Sequence, residues 1–252
     1  MKVDYEKYRQ SASERERIAD LLQVMPKGRA TVLDIGTRDG YIARLLTEHF
    51  GSVTALDLQR PAFEIDRVVP VAGDVTCLEF ADNSFDVVCC LEVLEHIPPH
   101  LLQTACREIV RVARHEVMIG VPYRQDLRLG QTTCRRCNLV NPPWGHVNSF
   151  DECRLEALFE PMRMISKTLV GQGKERTNAI STFLLNVGGN PWGTYEQEEP
   201  CIACGQTLEK AEAYSIFRRL AAGAGQRVNQ WQSAAASPYP KWVHCVFGKR
   251  LP

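Results

Sequence analysis

Between residues 31 and 121, short apolar runs alternate with amphipathic stretches, and this alternation restricts the fold more than any other feature of the chain. An apolar run bounded by turn residues reads as a buried strand. A helix-period stretch after each run covers the sheet that the strands build, which is an α/β arrangement with parallel strands. The runs predict strands over 31–35, 52–56 with Asp57 at its end, 68–71, 85–91 and 117–121. A helix is expected over 41–50, and another before the fifth strand. In the latter, Leu101, Leu102, Ala105, Ile109, Val110 and Val112 recur at helical spacing behind Pro98 and Pro99, which suit a helix start.

Outside this block the texture differs. Residues 4–25 read as one or two helices ended by Pro26 and Gly28, and residues 122–150, rich in Arg, Asn, Pro and Gly, as a long loop. A helix is predicted over 151–159, a strand over 162–170, helices near 175–187 and 207–222, and a last strand over 242–248. The expected organisation is an N-terminal helical segment (1–30), a core made of 31–170 and 241–252, and a helical insertion over 171–240. A chain of 252 residues with 44% hydrophobic content can bury such a core. Thirty basic and thirty acidic residues cancel, so a nucleic-acid or membrane partner would need a local patch. The charged start MKVDYEKYRQ and the lack of a long apolar run point to a soluble cytoplasmic protein with no membrane partner.

The segment VLDIGTRDG, residues 32–40, carries a strand into a glycine turn and then a helix, an arrangement that offers backbone amides to a polar ligand. A dinucleotide turn needs G-x-G-x-x-G, and Arg38 occupies its second glycine position, where a pyrophosphate would be crowded. Asp57 lies 21 residues after Gly36, where an acid accepts both ribose hydroxyls. The pattern suits adenosine without a pyrophosphate.

The turn D-I-G-x-x-x-G, the acid ending the second strand, GDVTCLEFADNSFDVV and LEVLEHIP together resemble the class I, Rossmann-like S-adenosylmethionine-dependent methyltransferases over residues 31–121. The resemblance implies a seven-stranded, mostly parallel sheet between helices and S-adenosylmethionine as cofactor. By residue it implies that Asp34, Gly36, Thr37 and Gly40 hold the methionine part, Asp57 and Leu58 the ribose, and Asp74 and Val75 the adenine, with Leu91 beside them. Arg38 stands where many relatives have glycine and is expected to point to solvent. Methyl transfer is mostly a matter of alignment, but an oxygen or ammonium acceptor must lose a proton. Glu92, Glu95 and His96, after the fourth strand, are candidates for that task, as is His146 in the long loop; Glu95 and His96 also suit capping or pairing.

Two C-x-x-C pairs, Cys134 with Cys137 and Cys201 with Cys204, have the spacing that gives zinc four thiolates. Four thiolates leave no open position, so the zinc is expected to be structural, clipping the 171–240 insertion onto the 122–150 loop as a lid. His146 or Cys153 could replace one ligand. Cys89, Cys90, Cys106 and Cys245 read as buried and inert. The expected activity is O- or N-methylation of a small molecule. The alternatives are an RNA or protein substrate, suggested by Arg124, Arg128, Arg135 and Arg136 with Arg218, Arg219 and Arg227 downstream, and a non-catalytic scaffold that binds cofactor and zinc.

Overall fold

The computed structural model describes residues 8–249; residues 4–7 of the predicted N-terminal helix and 250–252 of the predicted core lie outside it. In chain order the elements are α1 (Ala12–Val24), β1 (Thr31–Ile35), α2 (Tyr41–Leu46), β2 (Ser52–Asp57), β3 (Val68–Ala72), β4 (Phe85–Leu91), α3 (Pro99–Val112), β5 (Ala113–Pro122), β6 (Thr132–Thr133), β7 (Val140–Asn141), α4 (Glu152–Leu158), β8 (Arg163–Val170), α5 (Ala179–Val187), α6 (Ile216–Ala235) and β9 (Trp242–Gly248). They fall into two compact units. Residues 16–123, 150–170 and 241–249 form a sheet unit, and residues 8–15, 124–149 and 171–240 form a cysteine unit.

Seven strands of the sheet unit pair in the order β3-β2-β1-β4-β5-β9-β8. β3, β2, β1, β4 and β5 run parallel, whereas β9 is antiparallel to both of its neighbours. This is the mostly parallel α/β sheet that the alternation implies. Every residue of β4 is buried, as both faces of a central parallel strand must be. One face packs on Leu102, Ala105, Cys106, Ile109 and Val112 of α3, and the other on Leu21 of α1 with Ala43 and Leu46 of α2. The edge strands tolerate what a centre would not. β3 accepts Pro70, and β8 presents Arg163 and Lys167 to solvent.

The predicted helix over 41–50 stops at Leu46, because the chain tightens into i→i−3 bonds (Glu48 N–H to Leu45 O, His49 N–H to Leu46 O) before Gly51 bonds Ala30. The fifth strand begins four residues earlier than its apolar core, at Ala113, directly out of α3.

In the cysteine unit, β6 and β7 form a hairpin, and α5 packs on α6. Asn178 and Ser181 cap α5 reciprocally. The helix expected near 207–222 lies instead over Ile216–Ala235, with Ser215 as its cap. The high helix propensity of TLEKAEA is overridden because Leu208 packs on Cys134 and Cys201, away from any helix.

Candidate functional site

In the sheet unit, β1 delivers Asp34 and Ile35 to a turn that only a residue without Cβ can enter. Gly36 sits at φ +78°, and a Cβ there would lie 2.3 Å from Val93 Cγ2. Gly40 repeats the constraint against the Phe63 ring. The turn is fastened to the second strand: the Gly36 N–H donates to Leu56 O at 2.8 Å, and Asp57 at the end of β2 accepts the Arg38 N–H at 2.9 Å and the Leu58 N–H at 2.8 Å. Arg38 is exposed and left-handed at φ +50°, so its backbone rather than its side chain is what the turn uses.

Two polar groups at this turn, Asp34 Oδ2 and Thr37 Oγ1, are buried with no partner among the described residues beyond each other. Burial lifts the Asp34 carboxyl to about 7, Thr37 opposes the rise, and the charge of Asp57 adds to it. Orphaned buried polar atoms of this kind mark a place prepared for a ligand. Beside them Leu58 is 74% exposed, an apolar face next to a carboxylate. Asp74 directs Oδ1 to the Thr76 N–H and hydroxyl, and Val75 turns its side chain into the core. Leu91 closes the end of β4 and is buried. The elements around one end of β1, β2 and β4 thus bring together Asp34, Gly36, Thr37, Gly40, Asp57 and Leu58.

After Leu91 the chain leaves β4 through Glu92, at φ +56°, with its N–H on Gly120 O at 2.8 Å. A glutamate in the left-handed region is strained, and its surroundings hold it there. Trp242 of β9 donates its indole N–H to Glu92 Oε2 at 3.2 Å, and the buried guanidinium of Arg17 on α1 lies 4.0 Å from Oε1. Glu95 is fully buried, and burial, reinforced by Glu92, pushes its carboxyl well above the usual range against the pull of its own amide and Arg17. Burial and the charge of Arg38 lower His96 to about 4, so its imidazole is neutral near pH 7.

Glu92 and His96 therefore stand on one short segment. His146 belongs to the cysteine unit, where its Nδ1 lies 2.7 Å from Gln125 Oε1. Arg17 and Trp242 were invisible to local sequence patterns, as was the buried His244, whose Nδ1 lies 2.6 Å from Asp20 Oδ2. These partners are far apart in sequence, 150 positions for Trp242 and Glu92 and 224 for His244 and Asp20, and no periodicity encodes that.

In the cysteine unit the sulfurs of Cys134, Cys137, Cys201 and Cys204 all lie within 4.8 Å of one another, with Cys134–Cys204 and Cys137–Cys201 both at 3.6 Å. All four thiols are free, and the spacing is too long for a disulfide. The two knuckles share one backbone design. The Cys134 N–H bonds Leu139 O and the Asn138 N–H returns to Cys134 O; likewise Cys201 N–H bonds Gln206 O and Gly205 N–H returns to Cys201 O. Asn138 and Gly205, left-handed at φ +59° and +66°, hold equivalent places. Asn141, which sequence reasoning missed, links the knuckles by accepting the Ile202 N–H and donating to Leu139 O. Cys153 lies exposed on α4 of the sheet unit, and neither it nor His146 belongs to the four-sulfur cluster. Cys89, Cys90, Cys106 and Cys245 are buried thiols whose ionisation burial suppresses.

Residues 33–119 match the family model of a methyltransferase domain. Over 97 residues the chain is 33% identical to the ubiquinone biosynthesis O-methyltransferase of Alkalilimnicola ehrlichii, a match that covers 34% of this chain and 39% of that protein. The chain thus spans about two fifths of the length of the curated relatives it matches. In structure it is similar to the N-methyltransferase NodS of Bradyrhizobium japonicum, with a TM-score of 0.55 at 16% identity over 96% of this chain and 99% of that one. The NodS complex with S-adenosyl-L-homocysteine gives a TM-score of 0.51 at 20% identity over 66% and 84% of the two chains. At these identities the structural likeness is one of fold. The whole cysteine unit lies outside the segment that matches the family model.

Proposed function

We propose that this protein is an S-adenosylmethionine-dependent methyltransferase that modifies a small molecule at oxygen or nitrogen, and the ubiquinone-biosynthesis relative favours oxygen. The observation that carries the reading is the glycine turn fastened to Asp57, with the buried, unsatisfied Asp34 Oδ2 and Thr37 Oγ1 beside it, inside the segment that matches the methyltransferase model.

The residues fit the cofactor. Asp34, Gly36, Thr37 and Gly40 would hold its methionine part, whose ammonium group suits the carboxyl of Asp34. Asp57 with Leu58 would hold the ribose, and Asp74 with Val75 the adenine, with Leu91 beside them. When bound, S-adenosylmethionine supplies an activated methyl group on a sulfonium.

The chain's own task is to align the acceptor and take up its proton. Glu92, positioned by Trp242 and Arg17, and the neutral His96 are the groups for that step. His146, whose Nδ1 lies 2.7 Å from Gln125 Oε1, is the third candidate for that step. Calorimetric titration with S-adenosylhomocysteine tests the proposal: stoichiometric binding is expected, and no binding overturns it.

The four cysteines fit a structural zinc. Zn–S bonds of about 2.3 Å in a tetrahedron place sulfurs roughly 3.8 Å apart, close to the separations in the cluster. Thiolate ligation also accords with a cytoplasmic, reducing compartment. The metal would join the 122–150 loop to the 171–240 insertion. Metal analysis of protein purified without chelator should find one zinc per chain. Its absence, or unaltered stability of Cys134→Ser, would overturn the assignment.

A further inference from the structure

α6 is built the wrong way round for a helix that exists only to complete a small core. The face it packs on α5 consists of small and polar residues. Ala222, Gly225 and Asn229 are buried, and a Cβ on Gly225 would lie 2.9 Å from Ser181 O. Its large apolar residues point outward: Ile216, Phe217, Leu220 and Trp231 are 68–74% exposed. At the helical repeat these four and Ala224 fall within an arc of about 100°.

The charge is equally one-sided. Arg218, Arg219 and Arg227 lie on this 20-residue helix, which carries no aspartate or glutamate, in a chain whose basic and acidic residues balance. Arg227 falls inside the apolar arc, where a long stem lets a guanidinium extend beyond apolar neighbours. Aromatic and aliphatic residues on one stripe, with arginines and no acids on the same helix, describe a helix that lies in the plane of an anionic bilayer surface. Pairing of α6 with α6 of a second copy would instead bring arginines together with no acid on either helix to offset them.

We infer that α6 is a membrane-surface helix: Phe217, Leu220 and Trp231 enter the acyl boundary while Arg218, Arg219 and Arg227 meet anionic headgroups. The inference does not depend on the proposed methyl transfer. The neutral balance of the whole chain hides this patch, and no described helix is long and apolar enough to cross a membrane. The contact is with one leaflet.

The test is cosedimentation of the full chain with phosphatidylglycerol-containing vesicles and with pure phosphatidylcholine vesicles. Binding to the anionic vesicles alone, weakened by salt, is expected. Phe217→Asp with Leu220→Asp should lower the bound fraction about tenfold, and Arg219→Gln with Arg227→Gln should remove the preference for anionic lipid. Unchanged melting temperature and metal content confirm that these variants fold. Failure of the parent chain to bind anionic vesicles overturns the inference. So does a dimer in ultracentrifugation that Leu220→Asp dissolves while vesicle binding is absent, which would make the stripe a contact between copies.

Discussion

Replacing Asp57 with alanine separates two tasks that its carboxylate performs at once. Its oxygens already accept the N–H groups of Arg38 and Leu58, at 2.9 and 2.8 Å, and in the proposed complex they also accept the ribose diol. The backbone donors are exposed and can turn to water when the carboxylate is removed, so the expected loss of stability is only about 1 kcal/mol. The ribose hydroxyls lose two charge-assisted hydrogen bonds in a half-buried place. At about 2 kcal/mol each this amounts to roughly 4 kcal/mol, or about a thousandfold in dissociation constant. Asp57→Asn, which keeps one acceptor oxygen, should fall between the parent and the alanine variant. The assay is calorimetric titration with S-adenosylhomocysteine alongside a thermal melt. An alanine variant that melts nearly as the parent does and binds with undiminished affinity would refute the ribose role, and with it the reason for placing adenosine at this turn.

Gly36→Ala should cost roughly 3 kcal/mol in chemical denaturation, from a left-handed alanine and the collision with Val93; Val93→Ala added to it should restore the packing part and leave the backbone part, and full rescue would show that φ carries no strain. Asp34 has a folded pKa of about 7 against an ordinary 3.8, so between those values the folded state keeps a proton that the unfolded state has released. Its contribution to stability therefore falls as pH rises from about 4 to 7, by up to about 4 kcal/mol, and Asp34→Asn should flatten that slope in urea denaturation of the ligand-free protein; an unchanged slope would contradict the burial argument. Asn141→Ala should weaken zinc about tenfold in competition with a chelating dye, because Asn141 joins the two knuckles and is not one of the four clustered thiols. Unchanged zinc affinity would confine Asn141 to local folding.

β1, β4 and β9 begin and end where the apolar runs do, because a strand buried on both faces leaves an uninterrupted hydrophobic signature. The glycine turn was equally legible, since φ above zero and close approach leave little choice of residue. α6 was misplaced for the converse reason. Gly223 and Gly225 lower its propensity, yet Gly225 is what allows it to approach α5, and the better helix-forming segment before it is committed to the cysteine cluster through Leu208. The four cysteines could be read from spacing, but the surroundings of Glu92 could not. Its partners Arg17 and Trp242 arrive from opposite ends of the chain, and only the completed sheet brings them together.

The place of β9 has a consequence for how the molecule is made. It is the last of the described strands, yet it lies between β5 and β8 and pairs with both. Until residues 242–248 dock, β8 has no strand neighbour and β5 shows an open edge, so two unpaired backbones face solvent together. Pairing so distant in sequence is slow to form, and such edges invite association with other chains. Deleting β9 should therefore be far more damaging than deleting an outer strand of equal length: it would leave a five-stranded sheet with a raw edge and an orphaned eighth strand. His244, gripped by Asp20 of α1, makes the closure of this seam also the moment at which the N-terminal helix is fastened down.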